Sequence, residues 1–213
     1  MISARLSAGA DVLLLAPVRG LASEVAPMTA ALEGFGPAAI GLGVSSEELR
    51  GLLEYFVVAD GEPVVPLTNN ELNEVRGLVR FGEVRVPNPS FVEALRWGNR
   101  RSVPVAALDP TEEGSAELFA EHIGYVELVR RTVRERRAGR DPPTPATPDA
   151  YALEWERRVG RGRGSRALAR ARDAHLAREA ASLAAGRARI AVLVDRERFD
   201  GVRALLEAAA RPS

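Results

Sequence analysis

Four short apolar runs punctuate the chain, and amphipathic or alanine-rich stretches separate them. The runs fall at Asp11–Ala16, Ala38–Val44, Val103–Leu108 and Ile190–Val194. Each is bounded by charge, Gly or Pro, as expected for parallel strands covered on both faces. The stretches between them are too long for hairpins. One predominantly parallel central sheet with right-handed crossovers follows.

Between the runs the pattern predicts helices. Pro17–Gly20 reads as a turn, and Ser23 as the cap of a helix towards Leu32 that Gly34–Pro37 breaks. Ser45-Ser46-Glu47-Glu48 opens a second helix. Phe56–Val58 and Val64–Val65 read as a hairpin through Ala59–Glu62, or one of them as loop. Asn70–Arg80 reads as helix, Phe81–Pro89 as an extended piece stopped by two prolines, and Ser90–Arg101 as helix. Thr111 starts the longest predicted helix, to about Arg137. There Phe119, His122/Ile123, Val126, Val129 and Val133 recur every three or four residues, a core-facing stripe, with Glu127 and Arg131 paired outside. Ala138–Asp149 holds four prolines and reads as an irregular connection. Asp149 then caps a short helix around Trp155, and Gly160–Gly164 links it to a helix capped by Ser165. Leu168, Leu176 and Leu183 share one face of that helix, which stops near Gly186. Asp195–Asp200 follows the last run at its carboxyl end, where open α/β sheets hold ligands. The whole reads as one α/β domain over residues 1–213, with a helical excursion at about 111–186 before the last strand.

Composition narrows the function classes. The 29 basic residues are all arginine and are matched by 29 acids, so formal net charge is zero. That balance argues against a nucleic-acid binder. Charge is nonetheless uneven, with acids in excess over residues 1–119 and arginines over 120–180. The lack of cysteine excludes disulfides and thiolate sites. No apolar run approaches the roughly 20 residues of a membrane span. A soluble cytoplasmic protein is the expectation.

Four places in the chain resemble the TraB/PrgY/Tiki superfamily, which shares an α/β core with erythromycin-esterase and ChaN-like proteins. Asp11–Glu24 is similar to the opening strand and its Gly-x-x-His turn. Ala38–Leu49 resembles the second strand, which ends in a glutamate before a helix. Phe91–Asp109 resembles the helix, small apolar strand and Asp. Arg172-Asp173-Ala-His-Leu176-Ala177, followed by Ile190–Leu206, resembles the Arg-Asp helix and the closing strand, Gly-x-x-His, Gly and helix. The resemblance implies the fold and, in its Tiki branch, metal-dependent peptide cleavage by the histidines and the glutamate. At those positions this chain has Arg19, Gly43 and Arg198. A guanidinium has no lone pair to give a metal. Arg172, Asp173 and Gly201 match.

The candidate chemistry is therefore arginine and carboxylate. Arg19 and Arg198, joined by Arg172, read either as a clamp for a small anion or as arginines ion-paired with Asp195, Glu197 or Glu24. Asp173 shares a helical face with Ala169, Leu176, Ala177 and Ala180, so its carboxylate needs a partner, whether structural or in a site with Arg172. Gly160–Ser165 follows a helix and suits a linker better than a phosphate cradle. His122 and His175 lack a metal-ligand spacing and read as packing or surface residues. The Arg130–Arg140 cluster suits a solvated helix end. Two function classes result. One is a divergent non-catalytic domain binding a small anion or a protein partner, with no cofactor implied and a homo-oligomer left open. The other is a peptide or ester hydrolase with a rearranged carboxylate and arginine site. The missing His and Glu favour the first.

Overall fold

In the computed structural model, which describes residues 1–7, 9–57 and 69–210, five strands form one sheet. They are β1 (Ile2–Ser7), β2 (Asp11–Ala16), β3 (Ala39–Leu42), β4 (Val105–Ala107) and β5 (Arg189–Leu193), in the order β1-β2-β5-β3-β4. The four predicted strands are mutually parallel, and β1 pairs antiparallel with β2 at one edge. β1 is an addition to the sequence reading. Its alternation of Ile2, Ala4 and Leu6 with polar residues fits a half-buried edge strand.

Nine helices are described: α1 (Val25–Phe35), α2 (Ser46–Val57), α3 (Asn69–Leu78), α4 (Pro89–Arg101), α5 (Glu112–His122), α6 (Tyr125–Arg140), α7 (Pro148–Val159), α8 (Arg163–Ala184) and α9 (Phe199–Ala209). Because side chains alternate along a strand, β2 feeds two cores. Leu13 and Leu15 face α1 and α4, where Met28, Leu32, Phe91 and Trp97 are buried. Val12 and Leu14 face α8 and α9, meeting Leu176, Phe199 and Leu206. A third core lies beyond the carboxyl ends of the strands. There Leu78 of α3, Ala138 of α6, and Tyr151 and Trp155 of α7 close over Val18 and Leu21, just past β2. Burial of each large side chain contributes about 1.5–3 kcal/mol, so these helices form a packed cap over the carboxyl edge.

Several helix boundaries differ from expectation, each for a local reason. The predicted Thr111–Arg137 helix is broken at Ile123-Gly124 into α5 and α6, and α8 is longer. Its apolar stripe reaches the core only at Ile123, while Val126, Val129 and Val133 are 60, 46 and 41% exposed. Glu127 does not pair with Arg131. It takes Arg134 (2.8 Å) and the hydroxyl of Ser165 (2.9 Å), while Arg131 pairs with Glu135. Ser165 is thus an interior residue of α8, which Gly162 caps. Gly162 and Gly164 let α8 approach Glu127 and His122, where a Cβ would collide. Thr147, not Asp149, caps α7, leaving Asp149 to pair with Arg196 (3.2 Å). Ser23 lies in a 3-10 turn before α1 and caps nothing, whereas the αL residue Gly36 ends α1 as expected. Phe56 and Val57 belong to α2 rather than to a hairpin; Val58, Val64 and Val65 lie outside the described residues. The irregular connection shrinks to residues 141–147. The Ser45 and Glu48 capping box is present in both directions (2.8 and 3.1 Å).

Candidate functional site

β5 enters the sheet between β2 and β3, although it is last in sequence. This makes a switch in strand order, and the segments leaving β2 and β5 lie side by side at their carboxyl ends, where such sheets bind ligands. Arg19 follows β2. Asp195 follows β5 and caps a 3-10 turn, Arg196–Arg198, with the Arg198 amide donating to its carbonyl (2.9 Å). That turn runs directly into α9, so its side chains are fixed against the cap.

The three arginines singled out in the sequence all come to this edge, and each meets carboxylates. Arg19 donates through Nε (3.4 Å) and Nη2 to Asp195, which holds the guanidinium firmly protonated. Arg198 joins three elements: Nη1 donates to the Ala169 carbonyl and to Asp173 Oδ1 of α8 (both 3.3 Å), and Nη2 to Glu156 Oε1 of α7 (3.2 Å). Arg172 turns away and pairs with Asp109, just past β4. Backbone bonds from Leu108 to Leu42 (2.8 Å) and from Asp109 to Val44 (3.0 Å) fix that segment beside the exit of β3. Arg172 and Asp173, adjacent in sequence, thus serve different partners.

Asp173 is 9% exposed beside Leu176, Ala177 and Ala180, as its helical face required. Burial raises its carboxyl above the usual range against the pull of Arg198. Gly201 makes room for it, since a Cβ there would overlap Oδ2 and lie 2.7 Å from Cγ. Gly43 serves close backbone packing, donating to the Leu193 carbonyl at 2.7 Å.

Two acidic residues from the cap complete the site. Glu156 from α7 reaches Arg198. Glu74 from α3 faces Glu197, Arg19, Asp195 and Glu156, and its burial plus the repulsion of Glu197 pushes its carboxyl up to about 8. Glu197 is raised by burial and by Asp195, against Arg19 and Arg198. Around the edge, Arg19 and Arg198 therefore face the carboxyl groups of Asp195, Glu197, Glu156, Asp173 and Glu74, and Glu48 of α2, raised by burial, also feels Arg19. Glu74 and Glu197 hold protons more tightly than usual, chiefly because burial disfavours their charged forms. Solvent reaches the site, for 35% of the Arg19 side chain is exposed.

The residues present do not fit a metal ion. Arg19, Gly43 and Arg198 supply no lone pair, and the described residues contain no group of three or more His, Asp or Glu arranged to hold one. His122 ends α5, and His175 lies at the surface with Nδ1 2.8 Å from Arg178 Nη2. No helix among the described residues is long and apolar enough to cross a membrane.

Arg19, Arg198 and Asp173, which strand ends and a buried helical face single out in the sequence, lie together at this edge. Glu74 and Glu156 join them from the cap and carry no sequence motif. No family model, curated protein or solved structure matches this chain.

Proposed function

We propose that this chain is a divergent, non-catalytic TraB-like domain whose carboxyl edge binds the positively charged group of a small organic cation. What carries the reading is that Glu74 and Glu197 come together in a partly buried setting, where burial outweighs the pull of Arg19 and raises both carboxyls. The arginines that the sequence offers to an anion already serve Asp195, Asp173, Glu156 and Asp109. An ammonium or guanidinium would instead replace a proton that burial keeps on these carboxyls, gaining charge-assisted hydrogen bonds where the free protein has repulsion.

Calorimetric titration of the full chain at pH 7 with putrescine or methylguanidine, in two buffers of different ionisation enthalpy, tests this directly. Saturable one-to-one binding with release of up to one proton is expected, and Glu74→Gln should abolish the release. Absence of saturable heat, or identical release in Glu74→Gln, overturns the reading.

The same pair supports a second reading, hydrolysis. Two neighbouring carboxyls that both hold protons above the usual range can act as general acid and, once one has lost its proton, general base. Turnover of a peptide or ester by chelator-treated protein, with a pH optimum lost in both Glu74→Gln and Glu197→Gln, would select it.

A further inference from the structure

Away from the carboxyl edge, the C-terminal half of α6 meets the end of α7 and the short linker to α8 around a recess of about 410 Å³. This lies within the size range of small-molecule sites. Its wall carries Arg134, Arg137, Arg140, Arg158 and Arg161, with Asp141 as the one acid. Arg134 and Arg158 are ion-paired with Glu127 and Glu154, so Arg137, Arg140 and Arg161 less Asp141 leave two unneutralised positive charges on the lining. The buried Ala138 contributes to the same lining, and no aromatic ring takes part.

A solvated helix end accounts for only part of this. Cations at the end of α6 suit its dipole, which covers Arg137 and Arg140. It does not explain why Arg158 of α7 and Arg161 of the linker converge on the same space. Two of the five are fixed in place. Arg134 donates to Glu127 (2.8 Å) and to the Arg130 carbonyl (3.1 Å), and Arg158 donates to Glu154 (3.0 Å) and to the Asp141 carbonyl (2.8 Å). The Arg158 bond holds the end of α6 against α7. The side chains of Arg137, Arg140 and Arg161 make no hydrogen bond or ion pair among the described residues, unlike the arginines of the carboxyl edge. Fixed guanidiniums beside unpartnered ones offer paired donors to a multiply charged anion.

We propose that this recess binds a small anion carrying two or more phosphoryl groups, such as pyrophosphate or the diphosphate end of a phosphorylated metabolite. Net positive charge on a wall of five guanidiniums suits more than one phosphoryl group, and the lack of an aromatic platform places recognition on the phosphates. The zero net charge of the chain and the small size of the recess favour a compact anion over a nucleic-acid backbone. The proposal is independent of the reading of the carboxyl edge.

The experiment titrates the full chain with inorganic pyrophosphate at constant ionic strength, followed by calorimetry and melting temperature. One-to-one saturable binding is expected, weaker for inorganic phosphate. Arg137→Ala/Arg161→Ala, which removes no contact within the described fold, should raise Kd by about tenfold or more per arginine. Arg130→Ala/Arg136→Ala removes the same charge from α6 outside the recess and should change Kd by less than about threefold. Equal losses in both double variants would reduce the effect to diffuse electrostatics and overturn the site. So would an absence of saturation, or tighter binding of a single-stranded RNA oligomer than of pyrophosphate at the same salt.

Discussion

Replacing Arg198 with Ala removes a side chain of the β5–α9 turn that bonds to both α7 and α8. Its side chain is 12% exposed, as is that of Asp173, whereas Glu156 is 37% exposed. The Glu156 contact is therefore screened and contributes a few tenths of a kcal/mol. Loss of the Asp173 contact leaves a largely buried carboxylate without its guanidinium partner. Breaking a buried pair from one side costs about 3–5 kcal/mol. The low end applies here, because 3.3 Å is long for a charge-assisted bond and Asp173 can relieve its isolation by taking up a proton. About 3 kcal/mol in a chain of 213 residues corresponds to a fall in Tm of about 6–12 °C.

The pH dependence sharpens the test. The folded-state pKa of Asp173 already lies above its ordinary value, so the native protein holds that proton more tightly than the unfolded chain does. In Arg198→Ala the pKa rises further. The damage should be larger at pH 8 and should shrink as pH falls through the folded-state value. Urea denaturation at pH 5 and 8, with and without sulfate, measures both effects. Arg198→Ala/Asp173→Asn should be less destabilised than the two single variants summed. A loss under about 1 kcal/mol at pH 8, or one that appears only with sulfate present, would refute the structural role and restore the anion clamp.

Glu74→Gln should alter the pH profile of the whole protein. With an ordinary value of 4.5 and a folded value of about 8, Glu74 keeps a proton in the native state that the unfolded chain has lost, so stability falls as pH rises across that window, by at most about 1.4 kcal/mol per pH unit. Glu197, Asp195, Glu156, Arg19 and Tyr151 all face or couple to this group. Denaturation midpoints between pH 5 and 9 should flatten in the variant, and equal slopes in both proteins would contradict the assignment. Gly201→Ala should cost about 1–3 kcal/mol by forcing a methyl against Asp173, and less in an Arg198→Ala background; wild-type stability would mean that α9 shifts freely. Deleting residues 187–213 removes β5 from between β2 and β3 and should abolish folding, so a soluble fragment with a cooperative melt would place the core elsewhere.

The legible parts of this fold are those whose signal is local. Val12–Leu15 and Ile190–Leu193 are apolar throughout because both faces of β2 and β5 are covered, and no other short element needs that. The stripe through Val126, Val129 and Val133 shows the opposite case. Its period is helical and its helix exists, but periodicity says nothing about which element covers the face. The break at Ile123-Gly124 turns α6 so that these residues meet solvent. Glu74 was illegible for a related reason. On a polar helix it reads as a surface acid, and only the packing of Leu78 and Tyr151 over Val18 brings it down onto Arg19 and Glu197.

That packing also explains how two arginines are tolerated at one sheet edge. Each guanidinium carries five N–H donors and needs several acceptors, and the turn after β5 by itself supplies Asp195 and Glu197. The cap and α8 supply the rest, Glu156 from α7 and Asp173 beside Gly201. Each guanidinium that α7 or α8 satisfies also ties that helix to the turn after β5. Arg198 therefore fastens the cap as well as the edge, while burial leaves Glu74 and Glu197 holding protons more tightly than usual against the pull of Arg19.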